Sequence, residues 1–253
     1  MLTQLLKRIF KWLLLISLLI LAATFVPKDR LPAPEHYDLA SLNEPIQSPA
    51  TAPPFSLQVQ DQEYTIEPVN TYELQGVVVS YHDADSFTDI WHHRKWKDFL
   101  NVRDLCVIWG KNVATGVYQA MDFDNDSWTC WAYWPDAATG ARFSMNQLSN
   151  NHLLTEDREI KQRLMSAETG DHIRLRGLLA SYANTANNFH RGTSTTRTDT
   201  GNGACETIYL QDFEIVSKAH NRARRLFHFA KWSAGISLAG FLTMFFLSPI
   251  KRR

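Results

Sequence analysis

Acidic residues are missing from both ends of this chain: no Asp or Glu occurs before Asp29 or after Glu214, so all 26 lie between. Residues 27 to 217 set those 26 against 15 Lys and Arg, a balance of −11, and the ends carry the compensating positive charge, so the formal net charge of zero hides a strong segregation. Cysteine is scarce too. Cys106, Cys130 and Cys205 are the only three and no C-x-x-C spacing exists, which removes support for a zinc ribbon or a thioredoxin-type redox pair. In an oxidising compartment one disulfide forms among the three and leaves an odd thiol, whereas in a reducing one all three are buried core residues. Absent as well are G-x-S-x-G, the phosphate-binding P-loop, and any G-x-G-x-x-G that opens a helix; Gly201 and Gly203 lead into a strand instead. No cofactor, metal or catalytic set is expected from these residues.

Two long apolar runs are present. WLLLISLLILAATFV (Trp12 to Val26) is extended by Ile9 and Phe10 if Lys11 snorkels toward the headgroups, and WSAGISLAGFLTMFFLSPI (Trp232 to Ile250) has about the 20 residues a hydrocarbon core requires. No A-x-A site follows the first, which disfavours a cleaved signal peptide. The expected layout is a cytoplasmic tail (1–8), a first span (9–26), a proline-rich spacer (27–54), a β domain with an N-terminal hairpin (55–217), a basic juxtamembrane segment (218–231), a second span (232–250) and a basic tail (251–253). Six Lys and Arg on the terminal side face seven on the domain side, so the positive-inside count does not decide orientation. The KRIFK start before an apolar run and the length of the domain favour export, which implies a double-spanning protein of a bacterial inner membrane with a periplasmic domain. Lipid contact is expected through the spans and the basic stretch KAHNRARRLFHFAKW.

Within the domain, FSLQVQDQEYTI reads as a hairpin turning near Asp61 and Gln62, and YELQGVVVSY as a second strand region with Gly76 at a bulge or close approach. DIWHHRKWKDFLN is a short helix candidate. LCVIWG, GVYQAMDF and SWTCWAYW read as a meander, and TEDREIKQRLMSA as a helix capped by Thr155. GDHIRLRGLLASY and CETIYLQDFEIV read as the last two strands, separated by a polar loop from 183 to 204. This order, with GDHIRLRGLLASY and CETIYLQDFEIV as fourth and fifth strands, resembles the OB-fold, which implies a mainly β, five-stranded Greek-key barrel with one helix between strands three and four. DLCVIWG, SNNHLL and TDTGNGACETIY are similar to a group of bacterial inner-membrane proteins whose function is not established. OB-folds commonly hold single-stranded nucleic acid in a positive groove, yet a domain at −11 repels a polyanion, so no nucleic acid is expected.

The polar loop is the first candidate site. Gly192, Gly201 and Gly203 permit left-handed backbone, and its hydroxyls can bond nearby backbone, so it reads as a self-folded binding loop, a structural connection or a disordered one. As a binding surface it would use Arg191, Thr193, Ser194, Arg197, Asp199, Asn202 and Glu206, with Arg191, Arg197 and Asp199 as anchors. Asp199, Thr200 and Gly201 spell the aspartic-protease triplet, but that chemistry needs two such carboxylates. Six of the eight Trp fall between Trp91 and Trp134. Trp128 and Trp134 alternate with Trp131 and Tyr133, giving an aromatic surface suited to stacking on a sugar or a partner, or else core. His82, Asp83, Asp85, His92, His93 and His152 hold metal-ligating atoms, but nothing in the sequence makes them converge. Asp122, Asp124 and Asp126 have calcium-loop spacing without the required Gly and Glu.

The expected function is a membrane-anchored extracytoplasmic binding or assembly module with a protein partner or a second copy. The alternatives are an envelope hydrolase using the 183–204 loop, and a cytoplasm-facing sensor of nucleotides or single strands.

Overall fold

The alternation Tyr64, Ile66, Tyr72, Leu74 followed by a solid apolar block, Val77 to Val79, makes one strand twice as long as the sequence segments suggest, because one face is buried throughout and both faces are buried at its end. The computed structural model describes residues 2–86, 89–199 and 204–247. It contains α1 (Leu2–Phe25), β1 (Ile46–Pro49), β2 (Phe55–Val59), β3 (Gln62–His82), β4 (Asn101–Ile108), α2 (Lys111–Ala114), β5 (Asp122–Asn125) and β6 (Cys130–Tyr133). These are followed by α3 (Ala137–Arg142), β7 (Leu148–Leu154), α4 (Arg158–Met165), β8 (His172–Asn184), β9 (His190–Arg191), β10 (Glu206–Ser217) and α5 (Asn221–Phe246).

Two units result: Leu31–Ala219, and the two terminal segments. In the terminal unit α1 and α5, of 24 and 26 residues, are long and apolar enough to cross a membrane. Ser17 and Ser233 join them by a 2.9 Å hydroxyl hydrogen bond, and Gly240 lies against the ring of Phe10, where a side chain would collide. α5 begins at Asn221, so the basic juxtamembrane stretch is part of the helix; the KRR terminus lies outside the described residues.

The Leu31–Ala219 unit is mainly sheet. Eight strands form one mixed sheet in the order β1-β3-β4-β7-β10-β8-β9, with β2 on β3, and β3 also pairs with β8 from Tyr64↔Asn184 to Val77↔His172. β7 and β10 run parallel, and every other pairing is antiparallel. The strand count thus exceeds the five expected. Gly76 and Gly177 allow the backbones to approach, since a side chain at Gly76 would strike Val107 and one at Gly177 the Tyr209 carbonyl. The main core gathers Leu74, Val107, Trp109, Tyr118, Leu164, Ile173, Leu175 and Phe213; a second cluster holds Tyr64, Ile66, Leu100, Leu154, Ala180 and Tyr182.

Four expectations need correction. GVYQAMDF is a 3-10 turn leading into β5, and SWTCWAYW contributes only β6, so β5 and β6 make a separate hairpin. The strand beside β4 is β7, whose Asn150, Asn151 and His152 are buried polar residues that hide its pattern. Asp157, rather than Thr155, caps α4, accepting from the amides of Glu159 and Ile160 at 2.7 and 2.9 Å. The proline-rich stretch is not a free spacer beyond Leu31. Leu42 is buried, the Tyr37 hydroxyl donates to the Gly170 carbonyl, Trp109 donates to Glu44, and β1 extends the sheet.

Candidate functional site

The polar loop folds on its own side chains. Asn184 and Asn187 accept from the amides of Ala186 and Phe189 at 2.8 and 2.7 Å, turning the chain back so that β9 pairs with β8. Ser194 is buried. Its hydroxyl donates to Asp199 at 2.6 Å and accepts from the Thr196 amide, while its own amide donates to the Cys205 carbonyl. Thr193 accepts from the Thr207 amide, and the Thr207 hydroxyl donates to the Gly192 carbonyl. Ser194, Thr193 and Asp199 are therefore committed to loop architecture. Asn202 lies outside the described residues, as do Thr200 and Gly201 of the protease-like triplet.

This loop forms one side of a groove of about 1390 Å³. Arg191, Arg197, Asp199 and Glu206 line it, together with Trp128 and Trp131. Trp128, Trp131, Tyr133 and Trp134 are all about half exposed, so the aromatic hairpin is surface rather than core; Tyr133 and Trp134 are not among the groove residues.

The aromatic wall is completed by residues the sequence did not single out. A six-residue wide turn, Trp91–Trp96, closes at Lys97, which adopts a left-handed conformation (φ 54°), and it brings Trp96 against Trp128 edge to face at 4.5 Å. Phe189 stacks on Trp96 at 5.7 Å and meets Tyr182 edge-on at 5.4 Å. Asp126 holds the hairpin tip, accepting from the amides of Trp128 and Thr129 and from the Trp131 indole at 2.9 Å; this explains the acidic turn without calcium. Cys106 and Cys130 are joined in a disulfide that ties the hairpin to β4, leaving Cys205 as the free thiol.

The floor comes from the parallel pair β7 and β10. Asn150 and His152, two residues apart on one strand face, line the groove with Cys205, Glu206 and Thr207. Asn150 reaches the Trp128 carbonyl at 3.3 Å and Cys205 Sγ at 3.5 Å. His152 Nδ1 lies 2.8 Å from Asp104 Oδ1, so Nε2 is the ring nitrogen left for the groove. Burial pushes the His152 imidazole below its ordinary range against the pull of Asp104, which keeps it a neutral base.

Two arginines differ in use. Arg197 is ion-paired to Glu206, a buried carboxyl that burial pushes up to about 7 against the pull of Arg197. Arg191 has no carboxylate within ion-pair distance among the described residues, and against its burial the fields of Tyr182, Asp104 and Asp98 hold it charged. By contrast Arg174 and Arg176 on β8 pair with Glu214 and Asp212 at 2.7 and 3.0 Å.

Of the metal-ligating candidates, His82, Asp89 and His92 converge, Asp89 being one the sequence did not single out. Asp83 goes to Arg103, Asp85 to His93 and Lys161, and His152 to Asp104. A signal for the floor did exist, since Asn150 and His152 at strand spacing in SNNHLL present two polar side chains to one face. Trp96 and Phe189 had none, because their meeting depends on the turn and the loop closing together.

The geometry defines a class only: a β-rich unit with an aromatic-walled, polar-floored groove, in a chain with two helices able to span a membrane. Compared with family models, curated proteins and solved structures, the chain finds no match in any of the three.

Proposed function

We propose that this chain is a membrane-anchored binding module of the bacterial envelope, with an OB-like Greek-key domain on the extracytoplasmic side that seats a partner segment in the aromatic groove. The groove itself carries this reading: Trp96, Trp128 and Phe189 supply stacking faces, and Arg191 supplies a charge with no carboxylate paired to it among the described residues. The OB-like assignment is supported by the pairing sequence β3-β4-β7-β10-β8 and back to β3, by the parallel β7–β10 pair, and by α4 lying between β7 and β8. The extracytoplasmic side is supported by the Cys106–Cys130 disulfide, a bond that persists in oxidising compartments. The acidic balance of residues 27 to 217 speaks against a nucleic-acid strand as the ligand.

A photo-crosslinking residue at Asn188, exposed on the groove, tests the reading in cells. A discrete adduct that is absent from the same probe at exposed Asn43, and that fades when Arg191→Ala or Trp96→Ala is added, is the expected result. Identical adducts at both positions would remove the groove from consideration.

One observation favours a second reading, an envelope hydrolase. Asp104 Oδ1 lies 2.8 Å from Nδ1 of His152, a groove-lining imidazole that burial holds below its ordinary range, although the two are not aligned in a hydrogen bond; aligned, they would make a general base and its orienting carboxylate. His152→Gln separates the two readings, since it abolishes hydrolysis in an enzyme and leaves crosslinking intact in a binding module.

A further inference from the structure

Three side chains converge behind the aromatic wall without contributing to the groove. Asp89 Oδ1 accepts from the amides of Trp91 and His92 at 2.8 Å each, which fixes the carboxylate and leaves Oδ2 directed away from the backbone. On Oδ2 converge His82 Nε2 at 2.6 Å, from the end of β3, and His92 Nδ1 at 2.9 Å, from the wide turn. Ser127 Oγ lies 3.4 Å from His82 Nε2 and 3.5 Å from Asp89 Oδ2. Asp89 and His92 are buried, while the His82 side chain keeps 23% of its exposure, so the cluster has one accessible side.

The geometry points to a binding site for a divalent transition-metal ion of the zinc type, held by His82 Nε2, Asp89 Oδ2 and His92 Nδ1, with water or Ser127 in the fourth position. Two imidazoles and one carboxylate select such an ion over magnesium or calcium, which take all-oxygen sets. Ligand bonds of about 2.0–2.2 Å place tetrahedral donor atoms about 3.4 Å apart. From 2.6 and 2.9 Å the imidazoles withdraw from Oδ2 by less than an ångström; the three atoms lie within 4.8 Å of one another, so the two ring nitrogens close on each other by at most about 1.4 Å, and the part-exposed His82 has room to move. In the absence of a cation both imidazoles must carry a proton on the nitrogen facing Asp89; when the ion binds, each neutral ring frees that nitrogen by holding its proton on the other one, Nδ1 of His82 and Nε2 of His92. Ligation through Nδ1 puts the His92 proton on Nε2, which needs an acceptor. Asn101 lies 3.3 Å from that nitrogen and has a buried Oδ1 with no hydrogen-bond partner. Turning its amide over supplies the acceptor and gives up the bond from Nδ2 to Asp104.

Such an ion would fasten the end of β3 to the turn that carries Trp96, whose ring meets His92 edge-on at 5.0 Å. Its role is therefore to hold the groove's wall, independent of what the groove receives.

The full-length chain, purified in detergent and stripped with a chelator, is titrated with Co²⁺ and then Zn²⁺. One Co²⁺ per chain, with the visible absorption of a tetrahedral nitrogen and oxygen set and displacement by Zn²⁺, is expected. His82→Ala and Asp89→Asn should each weaken uptake roughly 10-fold or more, the least that loss of a partner in such a site costs, and His93→Ala should leave it unchanged. No saturable uptake by the wild type, or uptake unaffected by His82→Ala, overturns the assignment. Should a variant lose its far-UV circular dichroism in chelator, X-ray absorption of the zinc-loaded wild type decides instead: two imidazoles around the ion support the site, and fewer than two overturn it.

Discussion

Burial sets the behaviour of Glu206, because the loop that lines the groove also seals this carboxyl from water. Its folded-state pKa of about 7 stands above the ordinary 4.5, so the folded protein takes up a proton that the unfolded chain has already released. Stability therefore falls as pH rises from about 4.5 to about 7 and is level beyond, by about 3 kcal/mol from this group. In urea denaturation at a series of pH values the difference between wild type and Glu206→Gln should show that slope, since His152 and His172, held low by burial, give both proteins a contribution of opposite sign below about 6.5. In the core, Leu105→Ala should cost about 2–5 kcal/mol by the same measurement, since Leu105 is fully buried and its neighbours cannot collapse into the space. Residue types in the loop were readable from the sequence: Arg191, Arg197 and Glu206 do face the groove. Their division of labour was not, because which arginine finds a carboxylate depends on where β10 starts relative to the loop.

Among the elements, those with strong local signals were legible. The β2–β3 hairpin, β8 and β10 follow from alternation and turn residues, and α4 lies within the helical segment expected, with its cap at Asp157 instead of Thr155. β7 was not, since its buried side chains are amides and an imidazole, and period-2 logic reads polar residues as outward. The β5–β6 hairpin stands apart from the main sheet, which its turn residues do not reveal, since they serve a separate hairpin as well as a continuing meander. Among the described residues its strands pair only with each other; the Cys106–Cys130 bond, closing a separation of 24 residues, ties it to β4, alongside hydrogen bonds between Asn125 and both Ser80 and Asn150. In the chain-entropy view such a closure is worth about 3 kcal/mol. Cys130→Ser should lower the denaturation midpoint and, by freeing Trp128, raise proteolytic cleavage between 122 and 134. A smaller effect belongs to α4, where Asp157→Ala removes a cap accepting two amides and should cost about 1 kcal/mol.

For the molecule as a whole, charge segregation and the two apolar helices were plain in the sequence, but the side on which the domain lies was not, because the basic residues flanking it nearly balance. Thiol labelling at exposed Thr51→Cys, in a chain lacking the native cysteines, settles this with intact cells. Labelling before lysis places the domain outside the cytoplasm, while labelling only after lysis reverses the topology and withdraws the support drawn from the disulfide. The long β3 bears on how the chain is made. It pairs with β1, β2, β4 and β8, and the partner of Tyr64 is Asn184, 120 positions later. β10, needed by both β7 and β8, ends at Ser217, and α5 begins at Asn221. During synthesis, then, β3 meets β1, β2 and β4 early, while its other edge waits for β8, which begins 90 residues after β3 ends at His82. The domain completes its pairing only as the second long apolar helix is being made, so the last strand of the sheet and a helix able to span a membrane leave the ribosome almost together.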